Sequence, residues 1–268
     1  MQKSCFKTSD HTHIYYETHG FESKNPVVVF LNGTMQTTLN WRPHARIFKD
    51  RFRVILYDAR AQGQSKLGGK KPSVDLHVQD LSDLLHHLKI KRTHLVGVSH
   101  GCYIALSLAS RTPDLVDGLV LCSVGSKINA QAKIIIRSWL EILQSDGLRS
   151  LGWAVLPVVF GKNFLKQNER MIDKMVEAIV ARNNKDAIMA QLKAIKNYPA
   201  PGSLAKKINC PTLIVSGLQD RLVNIEDATH LAKLCRGSHE KLPGIGHSIP
   251  AETPELFNST VLKFLLSF

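Results

Sequence analysis

The chain is expected to form an α/β fold, with a mostly parallel central sheet, helices on both faces and a helical segment inserted between two strands. Three observations predict it. Short, nearly continuous apolar runs recur along the 268 residues, with helix-like stretches between them. One of these runs feeds directly into a Gly-x-Ser-x-Gly turn and then into a helix. The alternation breaks after Ser123, and from Lys127 to about Tyr198 no strand-like run occurs.

The elements follow in order. Asp10-His11 marks a turn, so residues up to about Glu17 are expected to form an antiparallel hairpin. Pro26 to Leu31, Phe52 to Tyr57, His94 to Val98, Gly118 to Cys122 and Thr212 to Ser216 are runs of the kind found in central strands buried on both faces. Between Leu76 and Leu88, residues Leu81, Leu84, Leu85 and Leu88 share one helical face. Strands alternating with helices imply parallel pairing through right-handed crossovers. The interrupted stretch reads as helices over Gln131 to Leu143, Leu148 to Val158, Phe164 to Arg182 and Lys185 to Lys196. Tyr198-Pro199-Ala200-Pro201-Gly202 returns the chain to the core, and Val261 to Leu266 ends it in an apolar helix. The organisation is therefore a first core segment over 1–126, a helical cap over 127–198 and a second core segment over 199–268.

Composition narrows the class. At 44% hydrophobic and 21% charged residues the chain is of ordinary globular type. No run of eighteen apolar residues suggests a membrane span. The opening Met1-Gln2-Lys3-Ser4-Cys5-Phe6 lacks the apolar stretch of a signal peptide, so a cytoplasmic location is expected. The five cysteines are scattered and mostly sit in apolar runs, as small buried hydrophobes do in a reducing compartment. The net charge is +13, but bases and acids are interspersed and no nucleic-acid-binding motif occurs.

The chemistry centres on Gly97-Val98-Ser99-His100-Gly101. An apolar run precedes it, and a helical run to Ala109 follows. This context is that of a nucleophile elbow, in which small flanking residues let a strained serine stand exposed above a helix N-terminus. Two distant segments match it. Pro211 to Ser216 is a strand-like run with Asp220 just past its end, and Leu242-Pro243-Gly244-Ile245-Gly246-His247-Ser248 presents a histidine on a loop. In its order of Ser, Asp and His the chain resembles the α/β-hydrolase superfamily over nearly its whole length. The resemblance implies the α/β-hydrolase fold, with the hairpin at the start and a cap roofing the active site.

A serine hydroxyl needs a base within reach, and the base needs an orienting partner. The expected catalytic residues are Ser99 as nucleophile, His247 as base and Asp220 as its partner. The resemblance puts the oxyanion hole at the backbone N–H groups of His100 and Thr34, with Asn32-Gly33 standing where many relatives have His-Gly. Asp58 to Ser65 resembles a turn of the same superfamily and reads as structural. The expected pocket residues are Met35 and Trp41 beside the oxyanion loop, and Trp139, Leu143, Trp153 and Phe160 from an apolar cap floor.

No His-Glu-x-x-His, ligand-spaced cysteine pair or dinucleotide fingerprint occurs, so neither metal nor cofactor is expected. A small acyl compound is the expected substrate. The leading reading is a serine hydrolase acting on a carboxylic ester, thioester or lactone through an acyl-enzyme on Ser99. Another is an acyltransferase using an acyl carrier protein or coenzyme A. Leu31 to Thr38 and Gly63-Gln64-Ser65 resemble the hydroxyacyl transferases that make rhamnolipid precursors. The expected cap has twelve Lys and Arg against six Asp and Glu, which suits an acidic partner. A non-catalytic binding protein on the same fold is a third reading, disfavoured by the complete Ser, Asp and His set.

Overall fold

The structure, a computed structural model, describes residues 1–268. Its strands are β1 (Gln2–Lys7), β2 (His13–His19), β3 (Val27–Leu31), β4 (Arg53–Tyr57), β5 (Thr93–Val98), β6 (Val116–Cys122), β7 (Thr212–Gly217) and β8 (Ser238–Leu242). They form one sheet in the order β1-β2-β4-β3-β5-β6-β7-β8. β1 and β2 pair antiparallel, as do β2 and β4, and every other pairing is parallel. The expected hairpin forms, with its turn at His11, which has a φ of 64°.

The continuous apolar runs are explained by the pleat. Val27, Val29 and Leu31 point into one core cluster, while Val28 and Phe30 point into the other. The same split divides Leu119 and Leu121 from Val120 and Cys122. The second face is covered by α1 (Thr38–Phe48) and the C-terminal α11 (Pro254–Leu265), through Trp41, Phe48, Phe257 and Val261. The first face is covered by α2 (Val74–His87) and α3 (His100–Arg111).

Between β6 and β7 come α4 (Ala130–Val159), α5 (Lys162–Gln167), α6 (Ile172–Arg182), α7 (Lys185–Ile195) and α8 (Pro201–Ala205). α9 (Ile225–Leu234) and the short α10 (Ile249–Glu252) follow β7 and β8. α4 covers two of the expected helices, which meet at Gly147, where φ is 81°. The expected single helix over Phe164–Arg182 is two, separated by a 3-10 turn at Glu169–Met171. The Asn168 side chain explains the break, because its amide donates to the Phe164 carbonyl and ends α5. No helix is long and apolar enough to cross a membrane.

One buried charge joins these layers. Arg60 is fully buried, and its guanidinium donates to both oxygens of Asp80 on α2, each at 2.8 Å. It also donates to Asp10 and Thr12 of the hairpin turn, and its carbonyl accepts from Gln191 of α7. Asp80→Asn should therefore lose about 3 kcal/mol of stability in urea unfolding, because it removes the more buried of the two carboxylates that balance this cation. Arg60→Met with Asp80→Leu should recover much of that loss. A single variant as stable as the wild type would contradict this account.

Candidate active site

The elbow is set by close packing. Ser99 joins β5 to α3 at φ 50° and ψ −111°, outside the comfortable range of an L-residue. Its N–H donates to the Cys122 carbonyl (2.9 Å), and its carbonyl accepts from Cys102 N–H (3.0 Å). A Cβ on Gly97 would lie 2.9 Å from the Cys102 nitrogen, and one on Gly101 would collide with the Leu31 carbonyl. Both small residues are thus needed for the turn to close against β3.

Asp220 follows β7. Its Oδ1 accepts the N–H groups of Leu222 (2.8 Å) and Val223 (3.0 Å), and its Oδ2 lies 2.7 Å from His247 Nδ1. Both side chains are buried. Two backbone donors hold the carboxylate in place and leave one oxygen to the imidazole. The histidine loop is fixed from several sides. The N–H groups of His247 and Ser248 donate to the Val159 carbonyl at the end of α4. Ser123 Oγ donates to the His247 carbonyl at 2.7 Å. Glu252 accepts from Gly246 and Gly161 together. Ser99 and His247 line one cavity, though no direct hydrogen bond joins them in this resting geometry.

The loop after β3 is clamped at Gly33. Its N–H donates to Gln36 Oε1 (2.8 Å), and its carbonyl accepts from Gln62 Nε2 (2.9 Å). Asn32 supports the loop by donating to the carbonyl of Tyr57 and to Asp58. Asp58, whose carboxyl burial pushes up to about 6, also accepts from Thr38 N–H at the start of α1. The Thr34 N–H finds no acceptor in the chain. The His100 N–H opens α3, where helix geometry leaves it no intrahelical partner. Thr34 and His100 border the same cavity as Ser99.

The His100 ring is fully buried. Its Nε2 lies 3.0 Å from the Tyr198 hydroxyl, and the ring meets that of His77 edge to face, 5.0 Å between centroids. Burial pushes its pKa down to about 4, so the ring is neutral at physiological pH. Both ring nitrogens of His77 are buried without a partner.

The cavity has a volume of about 340 Å³. Of the expected pocket residues, Met35, Trp139 and Phe160 line it. Trp41, Leu143 and Trp153 do not, for three different reasons. Trp41 is only 1% exposed and packs against Phe30 and Phe257 on the far face of the sheet. Leu143 is one turn past Trp139, but it points into the cluster joining cap and core. Trp153 is 43% exposed, because the break at Gly147 resets the helix phase and turns Val155, Leu156 and Val159 inward instead. Sequence reading missed the supports Ser123 and Glu252, which carry no motif, and also Lys127 and Arg182, two cations on the cavity wall.

The family model for the α/β-hydrolase fold matches residues 26–151. The chain has the α/β-hydrolase fold and is similar to hydrolases of that fold over nearly its whole length. It is 28% identical to a Caulobacter sp. (strain K31) protein that carries the provisional name carbamate hydrolase RutD, over 94% of this chain and 95% of that one. It is 22% identical to 3-oxoadipate enol-lactonase 2 of Acinetobacter baylyi, over 97% and 96%. Among solved structures it is similar to MGS-M2, an α/β hydrolase enzyme from a Medee basin deep-sea metagenome library. That match has a TM-score of 0.92 at 26% identity, over 99% and 98% of the two chains. The enol-lactonase from Burkholderia xenovorans LB400 shares the fold, with a TM-score of 0.90 at 22% identity over 98% and 100%.

The buried imidazoles make stability depend on pH. Burial lowers His77, His100, His44 and His94 below the ordinary value of 6.5. The unfolded chain takes up protons near that value and the folded chain does not, so this stability is present above pH 6.5 and lost as pH falls toward 4. The stability lost between pH 7.5 and 5, read from urea unfolding, should be smaller by about 2 kcal/mol in His77→Leu than in the wild type. An identical pH slope in the two proteins would show that His77 does not contribute.

Proposed function

We propose that the protein is a serine hydrolase that cleaves a carboxylic ester, thioester or lactone through an acyl-enzyme on Ser99. The observation that carries this reading is the 2.7 Å contact between His247 Nδ1 and Asp220 Oδ2, at the wall of the cavity that also holds Ser99 on its elbow. With Nδ1–H donated to Asp220, His247 Nε2 is left as the base. Ser99 Oγ attacks the carbonyl carbon as its proton passes to Nε2. The tetrahedral oxyanion accepts the N–H groups of His100 and Thr34, both uncommitted within the chain. Collapse breaks the bond to the leaving oxygen or sulfur, which takes the proton from the imidazolium. Water then attacks the acyl-enzyme with His247 again as base, and the acid departs as Ser99 regains its proton.

The relatives' hydrolase and lactonase names support water as the acceptor in preference to a second acyl acceptor. The buried, neutral His100 ring also suits a role confined to its backbone N–H.

An organophosphonate should label the wild-type protein on the peptide containing Ser99, as read by mass spectrometry. Labelling that persists in Ser99→Ala would sink the assignment. With p-nitrophenyl esters, His247→Ala should lose on the order of 10³-fold or more in kcat. Asp220→Asn should lose a similar or smaller factor, and full activity in that variant would require another acid.

A further inference from the structure

The charge on the cavity wall is one-sided. Its lining includes two permanent cations, Lys127 and Arg182, and no Asp or Glu, while most of the remaining wall is apolar. The two cations are not equivalent. Lys127 follows β6 and lies 3.7 Å from Asp227 of α9, which offsets its charge. Arg182 ends α6 and pairs with no carboxylate, whereas Arg149, also in the cap, pairs with Glu177. The next residue, Asn183, donates to the Met35 carbonyl at 3.2 Å, which ties the Arg182 end of α6 to the loop carrying Thr34. The unpaired guanidinium is thus exposed at the cavity rim, at the end of α6 that Asn183 ties to the Met35 loop.

We infer that Arg182 is a specificity residue that binds a free carboxylate on the substrate, so that the preferred substrate is a small monoester, monothioester or lactone of a dicarboxylic acid. This rests on the hydrolase reading above and adds the substrate class. A planar guanidinium matches a carboxylate with two parallel hydrogen bonds. Arg182 is exposed, so salt screens the attraction and the preference is greatest at low ionic strength. A cavity of about 340 Å³ suits a short apolar chain ending in such a group.

The test compares two p-nitrophenyl esters of equal chain length, the hydrogen pimelate and the heptanoate, which differ by a terminal carboxylate in place of a methyl. At low salt, kcat/KM for the charged ester should exceed that for the neutral one by about tenfold or more. The ratio should collapse toward unity in Arg182→Gln, survive in part in Arg182→Lys, and persist in Lys174→Gln, which removes an exposed cap cation outside the cavity. A ratio near one in the wild type, or an unchanged ratio in Arg182→Gln, overturns the inference and leaves the hydrolase reading standing. Failure to turn over either ester, with Ser99 unlabelled by the phosphonate, overturns both. A heptanoyl coenzyme A thioester preferred over the pimelate ester, with the same dependence on Arg182, would assign the guanidinium to a phosphate and overturn the carboxylate.

Discussion

The first turn of α3 rides on the carbonyl end of β3 with no room for a side chain between them. A Cβ at Gly101 would meet the Leu31 carbonyl, so the helix approaches only because the residue there has none. Much of the site depends on that approach. It forces the left-handed backbone at Ser99, worth about 1–3 kcal/mol of local strain. It also brings the start of α3 beside the Thr34 loop, which begins one residue beyond β3 and Asn32. Ser99 and the candidate oxyanion donors are thus related by the spacing of adjacent strands, a rigid quantity, and not by loop conformation.

The cap is held at the places where the site is built. Val159, at the end of α4, accepts the N–H groups of His247 and Ser248, so the histidine loop hangs from the cap. Glu252 closes the same joint by accepting from Gly161 on one side and Gly246 on the other. Burial raises the Glu252 carboxyl above its ordinary range, a cost that these backbone donors oppose. At the opposite side Asn183 bonds the Met35 carbonyl, and Gln191 bonds that of Arg60. A change in cap position would therefore act on both the His247 loop and the Thr34 loop, which carry the proposed base and a proposed oxyanion donor.

The polar groups behind the elbow contrast with the apolar cavity in front of it. Tyr198, His100 and His77 form a buried row, and Tyr57 adds a buried hydroxyl without a partner. Unpartnered buried polar atoms are costly, and several of them lie in this row next to Ser99. In front, the wall is apolar with charge of one sign only. The site thus separates a neutral interior behind the elbow from a cavity wall whose only charges are cationic.

The sequence by itself determined where the central strands of the core lie and which segments carry the candidate site. Doubly buried strands must be apolar on both faces, so β3 to β7 announce themselves, and the Gly97–Gly101 turn is legible because only small residues fit there. The elements that escaped were those whose burial is one-sided or slight. α1 begins at a polar Thr37 cap and contains Pro43, and the edge strand β8 reads Ser-His-Glu-Lys-Leu with no apolar run. Tertiary structure alone decided which apolar residues reach the cavity. Trp41, Leu143 and Trp153 are as hydrophobic as Trp139 and Phe160, yet one packs under the sheet, one into the cap joint and one toward solvent. Hydrophobicity states that a side chain seeks burial but not against which surface. That choice belongs to helix phase, which a single left-handed residue at Gly147 resets, and to the partner that the rest of the fold brings opposite.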